Sequence, residues 1–374
     1  MNNSSPYKIG IDCRLSGNAH AGIGRYIQEL ILRLPSLGKN NQWVLFFYSQ
    51  QQANDLLKEI VPKPSNISIV IAPIKHYSFN EQLKIPNIFA KQELDLLHVP
   101  HFNVPIFYKG KLVVTIHDLL WHEFRGLDVT TLKPYLYYIK YLAYRFITKM
   151  AIKKADQIIV PAKTIKDTVI KYYPWAKNKL NITKEGHSNK FIPSSNTTEK
   201  KINKTLLYVG SLYPHKNISV VLKALKSLPD FRLEIIGSRS IFQDNVKAEV
   251  VKLDICQQVE FLGFISDSEL NKKMSNSFAL VQPSLSEGFG LTGIEAMSAG
   301  IPVLASDIPI FKEIYQDGAI FFDPEYPTDF VRAVNMLEEL NRSKIIKQGI
   351  EIASHYSWDT MAKQTLSIYQ SSFN

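Results

Sequence analysis

The sequence predicts an α/β protein made of two doubly wound domains in tandem, each a parallel sheet with helices on both faces. Three observations carry this expectation. The chain has 374 residues, more than a single hydrophobic core usually organises. Apolar runs of strand length alternate with amphipathic or mixed segments, the signature of a parallel sheet covered on both sides. That alternation lapses once, in the polar and turn-rich Ser188–Lys204 (SNKFIPSSNTTEKKINK), before a second series begins. The pattern assigns 1–190 to a first Rossmann-like domain, 191–204 to a linker and 205–355 to a second Rossmann-like domain.

The first series opens with Tyr7–Cys13 (YKIGIDC), a buried strand. The small-residue loop Ser16–Gly24 follows, and then an amphipathic helix over Arg25–Leu34. Further strands are expected at Trp43–Tyr48, Ile67–Ile71, Leu94–Val99, Leu112–Ile116 and Gln157–Val160. The second series reads as strand Thr205–Val209, loop Gly210–Asn217 and helix Ile218–Ser227. Strands at Phe231–Ile236, Val259–Phe261, Phe278–Gln282 and Pro302–Ala305 come after it. Tandem domains of this kind bind ligands in a cleft where the carboxyl ends of their strands face each other.

Composition excludes several classes. With 45% hydrophobic and 21% charged residues the chain is globular rather than disordered. Cys13 and Cys256 are far apart and lie in no CxxC or Cys/His spacing, so neither a disulfide framework nor a zinc site is expected, and a reducing cytoplasm fits. The start, MNNSSPYKIGID, lacks an apolar signal core, and no run is long enough to span a bilayer. The net charge of +10 is uneven. Residues 1–190 contain 26 Lys and Arg against 13 Asp and Glu, whereas the remainder contains 18 against 21. The basic half is expected to meet an anionic partner, nucleic acid or a membrane face. It shows no RNP-like aromatic pattern and no helix-turn-helix, which disfavours nucleic acid.

Four pieces carry candidate chemistry. In Pro283–Asp307 (PSLSEGFGLTGIEAMSAGIPVLASD) a strand runs into Ser284, Glu287, Gly288, Phe289, Gly290 and Leu291, the last opening a helix that contains Glu295. Gly288 and Gly290 allow close backbone approach, and the free N–H groups of a helix start suit a phosphate. Carboxylates beside a phosphate make sense when they accept hydrogen bonds from neutral hydroxyls, as of a sugar. Spacing alone equally admits a solvated loop Glu and a Glu placed by the helix dipole. Lys216, in Leu207–Asn217 (LYVGSLYPHKN), sits at a helix start against the dipole, which a diphosphate between them would explain; an exposed loop Lys is the alternative. The Gly22-Ile-Gly24-Arg25 loop does not complete GxGxxG, and no acidic residue follows the second strand, which disfavours a dinucleotide dehydrogenase. His117, in Val113–Leu119 (VVTIHDL), ends a buried strand where such folds place ligand groups, although a lone His there is more often structural.

In this order the pieces resemble glycosyltransferase family 4, whose members are retaining enzymes of the GT-B fold, two Rossmann-like domains facing each other across a cleft. The most specific match is E-x7-E at Glu287 and Glu295; YVGSLYPHKN, THDL and GIGRY add to it. The wording is most similar to bacterial mannosyltransferases of polysaccharide assembly. The resemblance implies transfer of a hexose, mannose favoured, from a nucleotide diphosphate sugar, GDP-mannose favoured over UDP-sugars. The acceptor would be a glycan or a polyprenyl-linked glycan. Glu295 would hold ribose hydroxyls and Glu287 the hydroxyls of the transferred sugar. Amides near Phe289, Gly290 and Leu291 would meet the sugar or diphosphate, and Lys216 would pair with the diphosphate. Gly22 and Gly24 would let the first-domain loop close, His117 would reach the donor sugar or the reacting region, and Phe264 and Ile265 would lie near the base. Catalysis would rest on His117, Lys216 and Glu287, by a front-face route in which the leaving phosphate takes the acceptor's proton. No metal or other cofactor is implied, and no DxD motif is present. Many members carry Arg where this chain has Ser211, so Arg25 or His215 is a candidate replacement for that cation. The helix at about 356–374 is expected to pack back on the first, acceptor-side domain. A sugar-nucleotide epimerase, which shares the architecture, is the enzyme alternative; a basic nucleic-acid-binding protein is the other.

Residues 131–155 (TLKPYLYYIKYLAYRFITKMAIKKA) contain no acidic residue. Ile139, Leu142, Phe146 and Met150 recur at helical spacing, and Arg145, Lys149 and Lys153 form an i, i+4 stripe. One reading places the basic face on an anionic inner leaflet as a peripheral contact. The other packs the apolar face on the domain's own sheet and leaves the basic face in water.

Overall fold

The computed structural model describes residues 6–17, 20–60, 64–126, 130, 133–187, 203–237 and 241–373. It contains two compact units. One comprises Met1–Leu119, Tyr135–Gly186 and Ser357–Asn374; the other comprises Leu120–Pro134 and His187–Tyr356. Of the expected linker 191–204, only Asn203 and Lys204 are among the described residues.

The first unit carries seven parallel strands: β1 (Lys8–Asp12), β2 (Gln42–Phe47), β3 (Ile67–Ile71), β4 (Leu96–Val99), β5 (Leu112–Thr115), β6 (Gln157–Val160) and β7 (Leu180–Ile182). Their order is β3-β2-β1-β4-β5-β6-β7. In β2, Trp43 through Phe47 are wholly buried, as a strand flanked on both faces must be. The turn after β1 is fixed by Arg14, fully buried, which donates to both Asp12 oxygens at 2.8 and 2.6 Å and to Glu81 at 3.0 Å. A buried charge survives only with such compensation. The C-terminal helix Trp358–Ser371 belongs to this unit. Its Tyr369 hydroxyl lies 2.5 Å from His98 Nδ1, its Asp359 pairs with Arg33, and Gly186 is without a Cβ where the Trp358 backbone passes.

The second unit carries β8 (Thr205–Val209), β9 (Arg232–Ile236), β10 (Val259–Gly263), β11 (Ala279–Gln282), β12 (Val303–Ser306) and β13 (Ala319–Phe322), in the order β10-β9-β8-β11-β12-β13. Every pairing is parallel. One continuous core spans its central strands and the helices Ile218–Leu225 and Pro327–Glu339, with Leu206, Val221, Leu233, Val281 and Phe330 at its centre. Both orders are doubly wound, reversing between β1 and β4 in one unit and between β8 and β11 in the other. At such a switch point adjacent loops diverge and leave a crevice at the carboxyl ends of the strands.

The helix Pro134–Lys154 does not pack its apolar stripe on its own sheet. Its buried face is Tyr137, Tyr144, Thr148, Ala151 and Ile152. The stripe of Ile139, Leu142 and Phe146, extended by Tyr135 and Tyr138, is exposed; each of these five side chains is more than half accessible, Leu142 at 65%. The hydroxyl-bearing and small residues pack inward because they sit on the opposite face, and the apolar stripe is left without cover within this unit. No helix among the described residues is long and apolar enough to cross a membrane.

Candidate functional site

Three loops meet at the carboxyl edge of the second sheet. Gly210 N donates to Ile236 O at 2.9 Å, and Gly237 N donates to Gly263 O at 3.0 Å, continuing the ladder past the strand ends. A Cβ on Gly237 would stand 2.1 Å from Gly210 O, and Gly210 and Gly263 have φ of +153° and +68°. Only glycine allows the close approach at Gly237, and glycine adopts the other two torsions without strain. Gly237 carries no side-chain pattern and was legible only as part of the turn after β9.

After β8 the chain passes Ser211, whose carbonyl accepts from the buried Tyr208 hydroxyl, and forms the short turn Pro214–Lys216. Asn217, at φ +53°, starts the helix Ile218–Leu225 and donates to Pro324 O at 2.8 Å. The loop after β11 is tied to this one by Leu285 N donating to His215 O at 2.8 Å. Their side chains converge. Lys216 Nζ lies 2.5 Å from Glu287 Oε1, which also accepts from Ser284 Oγ at 2.9 Å. Both members of the ion pair are about one-fifth exposed, so the pair faces solvent at one end. His215 stacks against Tyr213. Burial, reinforced by the Lys216 charge and partly opposed by Glu287, pushes its pKa down to about 4. His215 is therefore neutral near pH 7.

The helix Leu291–Ser298 starts at Gly290, in the left-handed region at φ +93°. A Cβ there would stand 2.3 Å from Tyr315 Oη, and one on Gly293 would stand 2.3 Å from the same ring. Tyr315, fully buried, donates to Gly290 O at 2.7 Å. Gly290 was expected to admit a ligand; the structure shows that its missing side chain, with that of Gly293, makes room for Tyr315 beneath the helix start. Burial first, then the charge of Glu287 and less that of Glu295, raises the Tyr315 pKa. Phe289 is buried edge-on against Tyr356, so it is a packing residue. The N–H groups of Leu291 and Thr292 open this helix at the positive end of its dipole, while Gly293 N donates to Gly290 O at 3.1 Å. Gly293→Ala is expected to destabilise this unit by about 2 kcal/mol through overpacking against Tyr315; a melting temperature unchanged within a degree would contradict that. Phe264, at the carboxyl end of β10, is 75% exposed, and Ile265 is half-buried.

Gly22, Gly24, Arg25 and His117 lie in the first unit. Gly22 is exposed in the first turn of the helix Ala21–Leu37. Gly24 is buried, and a Cβ on it would meet Gly17 O at 2.1 Å, so its role is close packing of the loop on the helix. Arg25 is held by Glu29 at 2.8 Å, one turn along its own helix. His117 Nδ1 lies 3.0 Å from Glu185 Oε1 and Nε2 lies 3.2 Å from Pro100 O, with the Tyr26 ring edge-on against it. Both ring nitrogens are thus engaged within the unit. Glu185, buried and 68 residues away in sequence, gave no signal of its own. Behind this pair runs a buried polar chain in which His98 joins Tyr369 to Thr115, and Thr115 meets Tyr26 at 3.2 Å. Burial, then the nearby His117, pushes His98 down to about 3, so it is neutral. A cavity of about 930 Å³ opens beside the β1 turn, lined among others by Tyr48, Gln51, Asp55, Glu59, His76 and Tyr77. Among the described residues no cluster of His, Cys, Asp and Glu is arranged to hold a metal ion.

Two family descriptions match the chain in succession. "Glycosyltransferase Family 4" covers residues 20–186, and "Glycosyl transferases group 1" covers residues 190–352. The chain is 28% identical over 295 residues to the O-antigen chain mannosyltransferase RfbU of Salmonella typhimurium, covering 78% of each chain. It is 25% identical over 382 residues to the O-antigen chain mannosyltransferase B of Escherichia coli, covering 93% of this chain and 96% of that one. The crystal structure of Anabaena HepE in complex with UDP and glucose superposes with a TM-score of 0.73 at 19% identity, over 98% of this chain and all of that one.

Proposed function

The chain is a glycosyltransferase of family 4 with the GT-B fold, and from that premise we propose that it moves a mannosyl unit from a nucleotide diphosphate sugar to a glycan or lipid-linked glycan, with retention at the anomeric carbon. The observation that carries the site assignment is the convergence of Lys216, Glu287 and the Leu291–Ser298 helix start at the switch point of the second sheet. A diphosphate there meets one ammonium and the positive end of a helix. Glu287 and Glu295 would accept hydrogen bonds from sugar and ribose hydroxyls. The exposed Phe264 ring offers a face for the base.

The chemistry follows from charge. As the glycosidic C–O bond breaks, negative charge grows on the diphosphate while the sugar becomes oxocarbenium-like. Lys216 and the oriented N–H groups stabilise the first, and preorganised donors of this kind supply much of an enzyme's rate enhancement. Mannose and a cell-surface polysaccharide acceptor are supported by the relatives named as O-antigen mannosyltransferases. We favour GDP-mannose as donor, although a fold neighbour binds UDP. The neutral and mixed-charge cavity of the first unit, with Tyr48 and Tyr77 as aromatic faces, is a suitable place for a polyhydroxylated acceptor. No observation favours the epimerase reading.

A thermal-shift panel of GDP, UDP, ADP and their sugars tests the assignment. At a thousandfold excess over Kd the true donor should add about 4 kcal/mol of stability, and Glu295→Ala should abolish the shift. A wild-type melting point moved by none of them would refute the donor site.

The helix Pro134–Lys154 supports a peripheral location on an anionic, cytoplasmic membrane face, with Lys133, Lys140, Lys149 and Lys153 exposed around an accessible apolar stripe. A lipid-linked acceptor would be presented at that surface.

A further inference from the structure

The cation assigned above to the diphosphate is held by a carboxylate. Lys216 Nζ sits 2.5 Å from Glu287 Oε1, and Ser284 Oγ donates to the same oxygen at 2.9 Å. We propose that Glu287 discriminates the nucleotide sugar from the bare nucleoside diphosphate by competing with the diphosphate for Lys216, and yields that cation only when a hexose offers hydroxyls in exchange. The inference rests on the donor-site reading above.

A diphosphate approaching Lys216 meets an ammonium whose charge is neutralised at contact distance, beside a carboxylate that repels it. To bind, it must draw Lys216 from Glu287. The two loops are joined through the Leu285 N to His215 O hydrogen bond, so this exchange is confined to the side chains. Glu287 is about one-sixth exposed. Left with the Ser284 hydroxyl, it becomes a poorly compensated, partly buried charge, which is costly. Hexose hydroxyls are neutral donors that restore its hydrogen bonds without contesting Lys216 for the phosphate. The nucleotide sugar therefore binds with every charge satisfied, and the nucleoside diphosphate binds with Glu287 stranded. Once the hexose has left with the acceptor, Glu287 loses those donors and reclaims Lys216. The same pair thus weakens the hold on the spent nucleotide and promotes its release.

Calorimetric titration of wild type, Glu287→Gln and Glu287→Ala with GDP, GDP-mannose, UDP and UDP-glucose tests this, with melting temperatures confirming that each variant is folded. Both variants should bind the cognate nucleoside diphosphate tighter than wild type, by roughly three- to tenfold, the scale of a partly exposed ion pair removed from competition. Neither should gain affinity for the cognate nucleotide sugar, so the preference for sugar over diphosphate collapses. If the variants bind the diphosphate no tighter than wild type while the wild type binds it normally, the competition is refuted and the donor site stands. If none of the four nucleotides binds even the wild type, the donor site fails and the inference falls with it.

Discussion

Lys216→Ala is expected to lower the initial rate of sugar transfer by about two to three orders of magnitude, the loss typical of removing one preorganised donor to developing negative charge. His215 is neutral near pH 7, with its pKa pushed down by burial and by Lys216 itself, and Arg25 is paired with Glu29 within the first unit. Lys216→Arg should recover part of the rate, because a guanidinium keeps the charge but not the reach. Lys216→Ala leaves the mostly buried Glu287 without its cation, so the variant's melting temperature is measured beside the rate, and Lys216→Arg, which keeps the charge, separates lost chemistry from lost stability. The measurement is the initial transfer rate at saturating donor, with the donor chosen by the thermal-shift panel. A Lys216→Ala protein with more than a third of wild-type rate would show that the leaving group is stabilised elsewhere.

The triple variant Ile139→Ser, Leu142→Ser, Phe146→Ser should lose recovery on phosphatidylglycerol-containing vesicles while keeping its nucleotide-induced thermal shift. Each side chain is more than half exposed, so its replacement removes little packing. Each lost insertion costs about 1.5 kcal/mol or more, roughly tenfold in partitioning per side chain. High salt alone should weaken binding less than the variant does, because screening reaches the lysines and leaves the apolar term. Equal vesicle recovery of variant and wild type would sink the membrane assignment. A wild type that is dimeric in solution and becomes monomeric on the triple substitution would instead assign the stripe to a second copy of the chain.

Much of this protein is legible in its sequence because parallel strands buried on both faces are continuous apolar runs. Trp43–Phe47, Thr205–Val209 and Ala279–Gln282 could not be mistaken for exposed segments. Two strands were not read. Leu180–Ile182 has only three residues, and Ala319–Phe322 follows directly on the turn Gln316–Gly318 that closes the preceding helix, so its apolar run reads as that helix's continuation. The second-unit site was legible for a different reason. Lys216 and Glu287 stand at the ends of strands, and strand order alone then brings those ends together.

By itself, then, the sequence determined the two-domain α/β class, the strand ends that carry Gly210, Lys216, Ser284, Glu287 and Glu295, and the family. These depend on local pattern and on which residues follow which strand. Only the tertiary structure decided how those residues are used. It paired Lys216 with Glu287 and Arg25 with Glu29, held His215 neutral by burial, and engaged His117 with Glu185 and Pro100 O. It also turned the apolar stripe of Pro134–Lys154 outward. Helical spacing groups residues onto one face, but which face is covered depends on what the rest of the chain packs against it. That information is non-local, and no window of sequence contains it.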